Sequence, residues 1–408
     1  MKLKFNKLIL FLILITLPFG MLISLVASDL RTSAADPFTA YESSSELTVD
    51  GVADEAAWAS ATALAFTTSG GTLANTEVTI KSVYTATNIY MYATWADDTF
   101  SASRGRYNVS GYVYDQTLAA GGSEDRIALL WEIGTVTGFS SSGCDAKCHD
   151  LTTSVSLPAG EIADMWHIKA ARGGGRISHA GSGFVVDAST YELTAGTVSL
   201  HGYADDKHVD DGGRTNDAGD GPYYNNAEDD HALWIEESPS SWIDAMIITD
   251  TEIAAGETIN ISAGIAGSWT NLTDAVDAYV ALNANVPRHI LRTPTSSHGD
   301  IEVAIKWVNG VYTVETKREL DTGNADDVAF DPTGTDTYLF SISIFDNEGQ
   351  ETDGPKDHST YTGPIELSFG VDAAPPAPIP GYDLVIFMGG IFVISAIIVK
   401  IRMTRKHK

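Results

Sequence analysis

Along much of the chain, apolar and polar residues alternate with a period of two, the pattern of strands buried on one face. Val78 to Tyr84 and Asn88 to Trp95 are rich in β-branched and aromatic residues, and the four residues Thr85 to Asn88 make a hairpin-length join. Asp125 to Trp131 is more continuously apolar, which predicts a central strand. Ile301 to Trp307 meets Val311 to Arg318 across Val308-Asn309-Gly310, a strong hairpin signal; Tyr338 to Phe345 and Pro364 to Phe369 complete the series. Tyr191 to Gly202, Ala245 to Thr249 and Thr258 to Ile265 are weaker strands. Near the start, Asp50-Gly51 leads into a short helical turn that buries Trp58. Many short strands with almost no 3.6-residue periodicity predict an all-β fold, an antiparallel β-sandwich.

From 173 to about 240 the alternation fades. Gly173-Gly174-Gly175, Asp205-Asp206, Asp210-Asp211-Gly212-Gly213 and Glu228-Asp229-Asp230 predict long acidic loop insertions. These carboxylates lack the regular oxygen-ligand spacing of a known calcium loop, so they read as a solvated acidic face.

The ends carry a different pattern. Lys2, Lys4 and Lys7 precede an apolar run from Leu8 to Val26, with small residues at Ala27-Ser28 and Ala34-Ala35, so 1–35 reads as a signal peptide or N-terminal anchor. The sandwich follows over 36–370 and a Pro-rich linker, with Pro375-Pro376-Ala377-Pro378, over 371–381. Leu384 to Val399 is apolar throughout, which predicts one transmembrane helix over 382–401. The basic tail 402–408 belongs on the cytoplasmic side, which places the main domain outside the cell membrane, extracellular or periplasmic, on a single-pass anchor.

Charge sharpens this. The formal net charge is −29, from 54 acidic and 25 basic residues, which argues against nucleic acid as a partner because phosphate binding needs basic surface. It suits a self-repelling exterior. Sequons stand at Asn108, Asn260 and Asn271.

The chemistry concentrates between Gly143 and Arg172. Here lie the two cysteines, Cys144 and Cys148, followed at once by His149, and then the run Asp164-Met-Trp166-His167-Ile-Lys169. Cysteine and histidine are ligands of transition metals and haem iron. Two readings stand: a disulfide that closes a surface loop, which an exported protein can keep, or a haem site. The c-type attachment signature is C-x-x-C-H, and C-x-x-x-C-H departs from it by one residue. A disulfide with non-covalent haem and covalent attachment through both cysteines therefore remain alternatives.

In order, V-D-G-V-A-D-E-A-A-W, E-D-R-I-A-L-L-W, G-C-D-A-K-C-H with D-M-W-H-I-K-A, T-V-E-T-K-R-E-L and Y-L-F-S-I-S-I-F-D-N resemble the haem-binding domain of the ethylbenzene dehydrogenase gamma-subunit family, found also in dimethyl sulfoxide reductase-type electron-transfer subunits. The resemblance covers about Leu47 to Phe369, apart from the acidic insert. It implies a β-sandwich holding one haem, b-type ahead of c-type, that exchanges electrons with a redox partner: a molybdenum oxidoreductase or a quinone-linked chain. It implies no catalysis by this chain itself. His149 occupies the slot of the first axial ligand, where the family commonly has methionine. Lys356 and His358 both fall where the second lies, commonly lysine. A neutral imidazole ligates iron without first losing a proton, as lysine must, which favours His149 with His358. Trp131, Trp166 and Phe345 are candidate walls of a slot between the sheets, though each taken alone reads as an ordinary core residue. His167, Lys169 and Arg172 are candidate donors to the haem propionates, or else solvated side chains on a strand edge.

The opening D-G-x-x-D-E-x-x-W also resembles the family-nine carbohydrate-binding modules, which implies an alternative function in which Trp234 and Trp242 stack on sugar rings. That alternative leaves Cys144 to His149 without a role. A calcium-stabilised adhesion protein is a third reading, resting on the acidic loops alone.

Overall fold

The computed structural model describes residues 35–110, 113–115, 124–143, 156–175, 177–187, 189–227, 232–261, 269–347 and 358–370. Fifteen strands of one continuous sheet fold over to form a sandwich. In chain order they are β1 (Asp36–Glu42), β2 (Leu64–Thr67), β3 (Glu77–Tyr84), β4 (Asn88–Ala96), β5 (Arg126–Ile133), β6 (Ile162–Lys169), β7 (Ser178–Val186), β8 (Leu193–Tyr203), β9 (Asp205–Asp210), β10 (Gly213–Asn216), β11 (Glu302–Val308), β12 (Val311–Glu319), β13 (Thr337–Phe345), β14 (Ser359–Thr360) and β15 (Ile365–Phe369). The spatial order is β10-β9-β6-β5-β13-β15-β1-β3-β4-β12-β11-β8-β7, with β2 beside β3 and β14 beside β13.

Strand β1 is the seam. Its first five residues pair in parallel with β15 and its last two, Tyr41 and Glu42, with Val83 and Tyr84 of β3, so one strand serves both layers. Most other pairings are antiparallel, as the alternation predicts. The β11–β12 turn has positive φ at both Asn309 (43°) and Gly310 (93°), the two-residue hairpin geometry whose twist matches the flanking strands. Between the layers, Trp131 stacks on Phe340 at 4.3 Å and lies 5.3 Å from Trp166, while Trp95 stacks on Tyr312 at 4.8 Å. Such pairs add about 0.5–1.5 kcal/mol each beyond their area burial. Trp58 is buried on the short helix Ala56–Ser60.

Three expectations change. The segment from 173 to about 240 is not a loop insertion: besides β8, where a strand was expected over Tyr191 to Gly202, it supplies β7, β9 and β10 to the main sheet. Asp205, Asp206 and Lys207 are buried there because β9 pairs with β6, and for Asp205 and Lys207 ion pairs replace lost hydration. Charge therefore obscured a genuine strand. Second, Trp269–Leu282 is a 14-residue helix, α1, whose Leu272, Ala275, Val276 and Tyr279 are buried at helical spacing. Third, the Ala245 to Thr249 region divides between a short helix, Trp242–Ala245, and the two-residue strand Ile248–Thr249. Among the described residues no helix is long and apolar enough to cross a membrane. The apolar runs 8–26 and 384–399 lie outside them.

Candidate functional site

Register decides what each face of β6 offers. Trp166 stands opposite Leu129 of β5 and Asp206 of β9, and Asp164 opposite Trp131. These side chains face the other layer. His167 stands opposite Ala128 and Asp205, and Lys169 opposite Arg126, which itself pairs with Phe345. Those side chains share the second face of the layer, where Leu130, Phe139, Leu157, Met165 and Val209 form a separate small core.

The sequence-predicted residues therefore divide. Trp166 is fully buried between the layers, 6.5 Å from Phe330 and with the Arg318 guanidinium 5.0 Å over its ring, so it is a core residue. The space between the layers lined by Trp95, Asp125, Ile127, Ile168 and Tyr312 amounts to about 180 Å³, below the roughly 300–1,000 Å³ of ordinary cofactor pockets. Trp131 and Trp166 are both fully buried between the layers and pack on one another and on Phe330 and Phe340.

The second face brings His167, Lys169, Phe345 and His358 together. The His358 ring stacks on Phe345 at 4.7 Å, His167 lies 6.0 Å from the same ring, and the Arg126 guanidinium sits 5.1 Å over it. His167 and Lys169 are 4 % and 2 % exposed, so neither is the solvated edge residue of the alternative reading: β6 is covered by β5 on one side and β9 on the other. Lys169 and Lys207 (3.1 Å) both bind Asp205 Oδ2, while His298 Nε2 is 2.7 Å from Oδ1. Burial opposes ionisation of Asp205, but Lys169, His298 and Lys207 hold its carboxyl well below the usual range. At the strand entry, Arg172 donates from Nε to Glu124 Oε1 at 2.6 Å, and Ala171 N to Oε2 at 2.9 Å. Burial again opposes ionisation, but Arg172, Arg126 and Lys169 together bring the Glu124 carboxyl down to about 2.

His167 is the exception. Neither ring nitrogen has a hydrogen-bond partner among the described residues, and both are buried. Burial first, then the charges of Lys169 and Arg126, drive its pKa well below 6.5, so the ring is neutral at pH 7. It holds one N–H donor and one lone pair with nothing to receive or use them, a state that costs about 1–3 kcal/mol unless a ligand meets it.

Cys144, Cys148, His149 and Lys356 lie outside the described residues. The residues that flank them are informative. Gly143 has φ +55°, and a Cβ there would collide with Ser341 Oγ, a side chain on the second face. Leu157 rejoins the small core on that face. Asn347 N donates to Asp125 Oδ1 at 2.9 Å, and His358 lies on Phe345. His358, where the described chain resumes, shares the Phe345 ring with His167. Sequence reasoning missed Glu124, Arg126 and Asp205, though the E-D-R run opening β5 was a signal: three charges leading directly into an apolar strand need buried partners.

A β-sandwich whose second face gathers cations around a neutral, unpartnered imidazole is the class that these observations define. The chain belongs to the ethylbenzene dehydrogenase family, whose sequence profile matches residues 55–357. No curated protein matches it significantly. Among solved structures, similarity is found to a family 9 carbohydrate-binding module from Caldicellulosiruptor kristjanssonii in complex with cellotriose (10 % identity, 84 % of this chain and 100 % of that one, TM-score 0.29). A putative carbohydrate-binding protein from Bacteroides uniformis is similar over 83 % of this chain and all of its own (6 % identity, TM-score 0.31). Likeness at this level carries no argument here. Trp242, one of the two expected sugar platforms, is 2 % exposed in the core, and Trp234 is half-buried in the short strand Trp234–Glu236.

Proposed function

We propose that the protein is a membrane-anchored, extracytoplasmic haem-binding electron-transfer protein, working as the gamma subunit does beside ethylbenzene dehydrogenase-type molybdenum enzymes. The family match supports association with such a redox partner. The observation that carries the reading is the buried, neutral and unpartnered His167 on the face shared with His358. A haem bound there supplies a one-electron couple at its iron.

The chain's own residues fit that group. A neutral imidazole offers the lone pair that iron takes, so His167, placed from sequence at the propionates, becomes a third axial candidate beside His149 and His358, with Lys356 the alternative. Among the described residues, the cations Arg126, Lys169, Arg172 and Lys207 outnumber Glu124 and Asp205 around His167, in a chain of net charge −29, which suits carboxylate-bearing propionates. Phe345 supplies apolar surface between the two imidazoles. The substrate chemistry belongs to the partner.

The test is the absorption spectrum of the full-length protein made with haem available. A Soret band with sharp low-spin bands on reduction is expected, and extraction by acid acetone distinguishes non-covalent haem from attachment at Cys144 and Cys148. A folded, colourless protein with no haem affinity would overturn the proposal.

A further inference from the structure

Behind the haem-facing side of β6, on its inner face, lies a group of carboxylates that the proposed function does not use. Asp164 of β6 and Asp206 of β9 are fully buried, and Asp327, in the turn after β12, is 4 % exposed. One oxygen from each lies within 4.8 Å of the others. Asp300, immediately before β11, comes within hydrogen-bonding distance of both Asp206 and Asp327. The carboxylates come from four separated parts of the chain, so no spacing in the sequence announces them.

Asp164, Asp206 and Asp327 are each held by one oxygen and leave the other bare. Asp164 Oδ2 accepts from Trp166 Nε1 (3.0 Å), Arg318 Nη1 (2.7 Å) and Val328 N (3.1 Å), while its buried Oδ1 has no donor. Asp327 Oδ2 accepts from Thr322 Oγ1 (2.5 Å) and Asn324 Nδ2 (3.1 Å), while Oδ1 has none. Asp206 Oδ1 accepts from Lys207 N (3.0 Å), while Oδ2 has none, and neither oxygen of Asp300 meets a donor. Arg318 is the cation in contact, and it satisfies one oxygen of one carboxylate. Adjacent to the group, Asp217 is paired through Oδ1 with His208 Nδ1 (2.5 Å) and also keeps a buried Oδ2 without a donor. Buried carboxylates in contact, positioned by donors on one side and stripped of donors on the other, lack a cation.

We infer that Asp164, Asp206, Asp300 and Asp327 form a structural Ca²⁺ site that joins β6 and β9 to the β11–β12 side of the sandwich. The donors are all hard oxygens, which exclude the soft metals that Cys and His select. Ca²⁺–oxygen distances of about 2.3–2.6 Å let one ion touch oxygens up to about 5 Å apart, which spans the observed separation. Mg²⁺ keeps several of its waters and seldom accepts a dedicated cage of carboxylates, and this one is buried. Without the ion the four carboxylates face one another with Arg318 alone in contact to offset their repulsion. The site stands independently of the haem reading, since it uses the opposite face of β6.

The experiment takes the full-length protein, strips it with EGTA, and follows thermal unfolding as Ca²⁺ or Mg²⁺ is returned, with calcium content of the untreated protein measured by atomic emission. Ca²⁺ should raise Tm saturably, more than Mg²⁺ at equal concentration, and the untreated protein should hold calcium stoichiometrically. Asp206→Asn and Asp327→Asn should each weaken Ca²⁺ binding by more than about tenfold. Each should also raise the Tm of the metal-free protein, because one of several crowded charges is gone. A merely structural role predicts the reverse: both variants lower Tm equally with and without Ca²⁺. That result, absence of any Ca²⁺ response, an equal response to Mg²⁺, or an unchanged Ca²⁺ response in both variants would overturn the assignment.

Discussion

Glu124→Gln tests the electrostatics of the proposed cofactor face directly. The native carboxyl is fully buried against Arg172 and Arg126, and its pKa moves from the ordinary 4.5 to about 2. Each tenfold change in an ionisation constant is worth about 1.4 kcal/mol, so ionised Glu124 stabilises the folded state by ~3 kcal/mol at pH 7. Because the folded pKa is depressed, the contribution is complete above the unfolded value of 4.5 and is lost as pH falls through about 2. Integrating between those limits leaves about half of that at pH 3. Glutamine keeps the shape and removes the charge. The variant should therefore lose ~3 kcal/mol at pH 7 in urea unfolding and about half of that at pH 3. A loss below ~1 kcal/mol at pH 7, or an equal loss at both pH values, would refute the view that Glu124 acts as a charge rather than as a packing group.

Three further outcomes follow from other parts of the chain. His167→Ala and His358→Ala separate the axial candidates: the true ligand's loss shifts the ferric spectrum towards high spin or abolishes haem retention, and low-spin spectra in both would leave His149 with Lys356, checked by Lys356→Ala. Gly143→Ala should destabilise by about 1 kcal/mol or more, measured by urea unfolding, since φ is +55° and the new methyl meets Ser341 Oγ; it should also lower haem retention by displacing the start of the segment that carries Cys144 and His149. Asp97→Asn should stabilise the protein at pH 7. Burial, then Asp125 and Asp346, raise the Asp97 carboxyl from 3.8 to about 9, so it is protonated when folded and ionised when unfolded. The stability tied to that proton is present below 3.8 and lost as pH rises towards 9, so the variant's advantage in urea unfolding should vanish below pH 4.

The second face shows why the site was half legible. His358, Lys169 and Phe345 could be singled out by residue type, but Arg126 joins them through the register of β5 with β6 and β13, a relation between segments far apart in the chain. Trp166 and His167 are neighbours in sequence and looked like partners at one cofactor. Strand geometry sends successive side chains to opposite faces, so one became core and the other faces the cation-rich surface.

Local chemistry in the sequence by itself determined the all-β class and most of its strands, because a period of two in β-branched and aromatic residues is a property of each segment alone. It also determined the Asn309-Gly310 turn, where positive φ at both positions suits Asn and Gly. Only the tertiary structure decided that the acidic stretch from 173 to about 240 supplies β7, β9 and β10 beside the expected strand β8, since Asp205 and Lys207 are buried once β6 provides backbone partners and ion pairs replace hydration. It alone decided that β1 serves both layers, and that four aspartates from four separate places meet behind β6. A hydrophobic period reports which face of one segment avoids water; which buried charges face one another depends on pairing between segments, and no single segment encodes it.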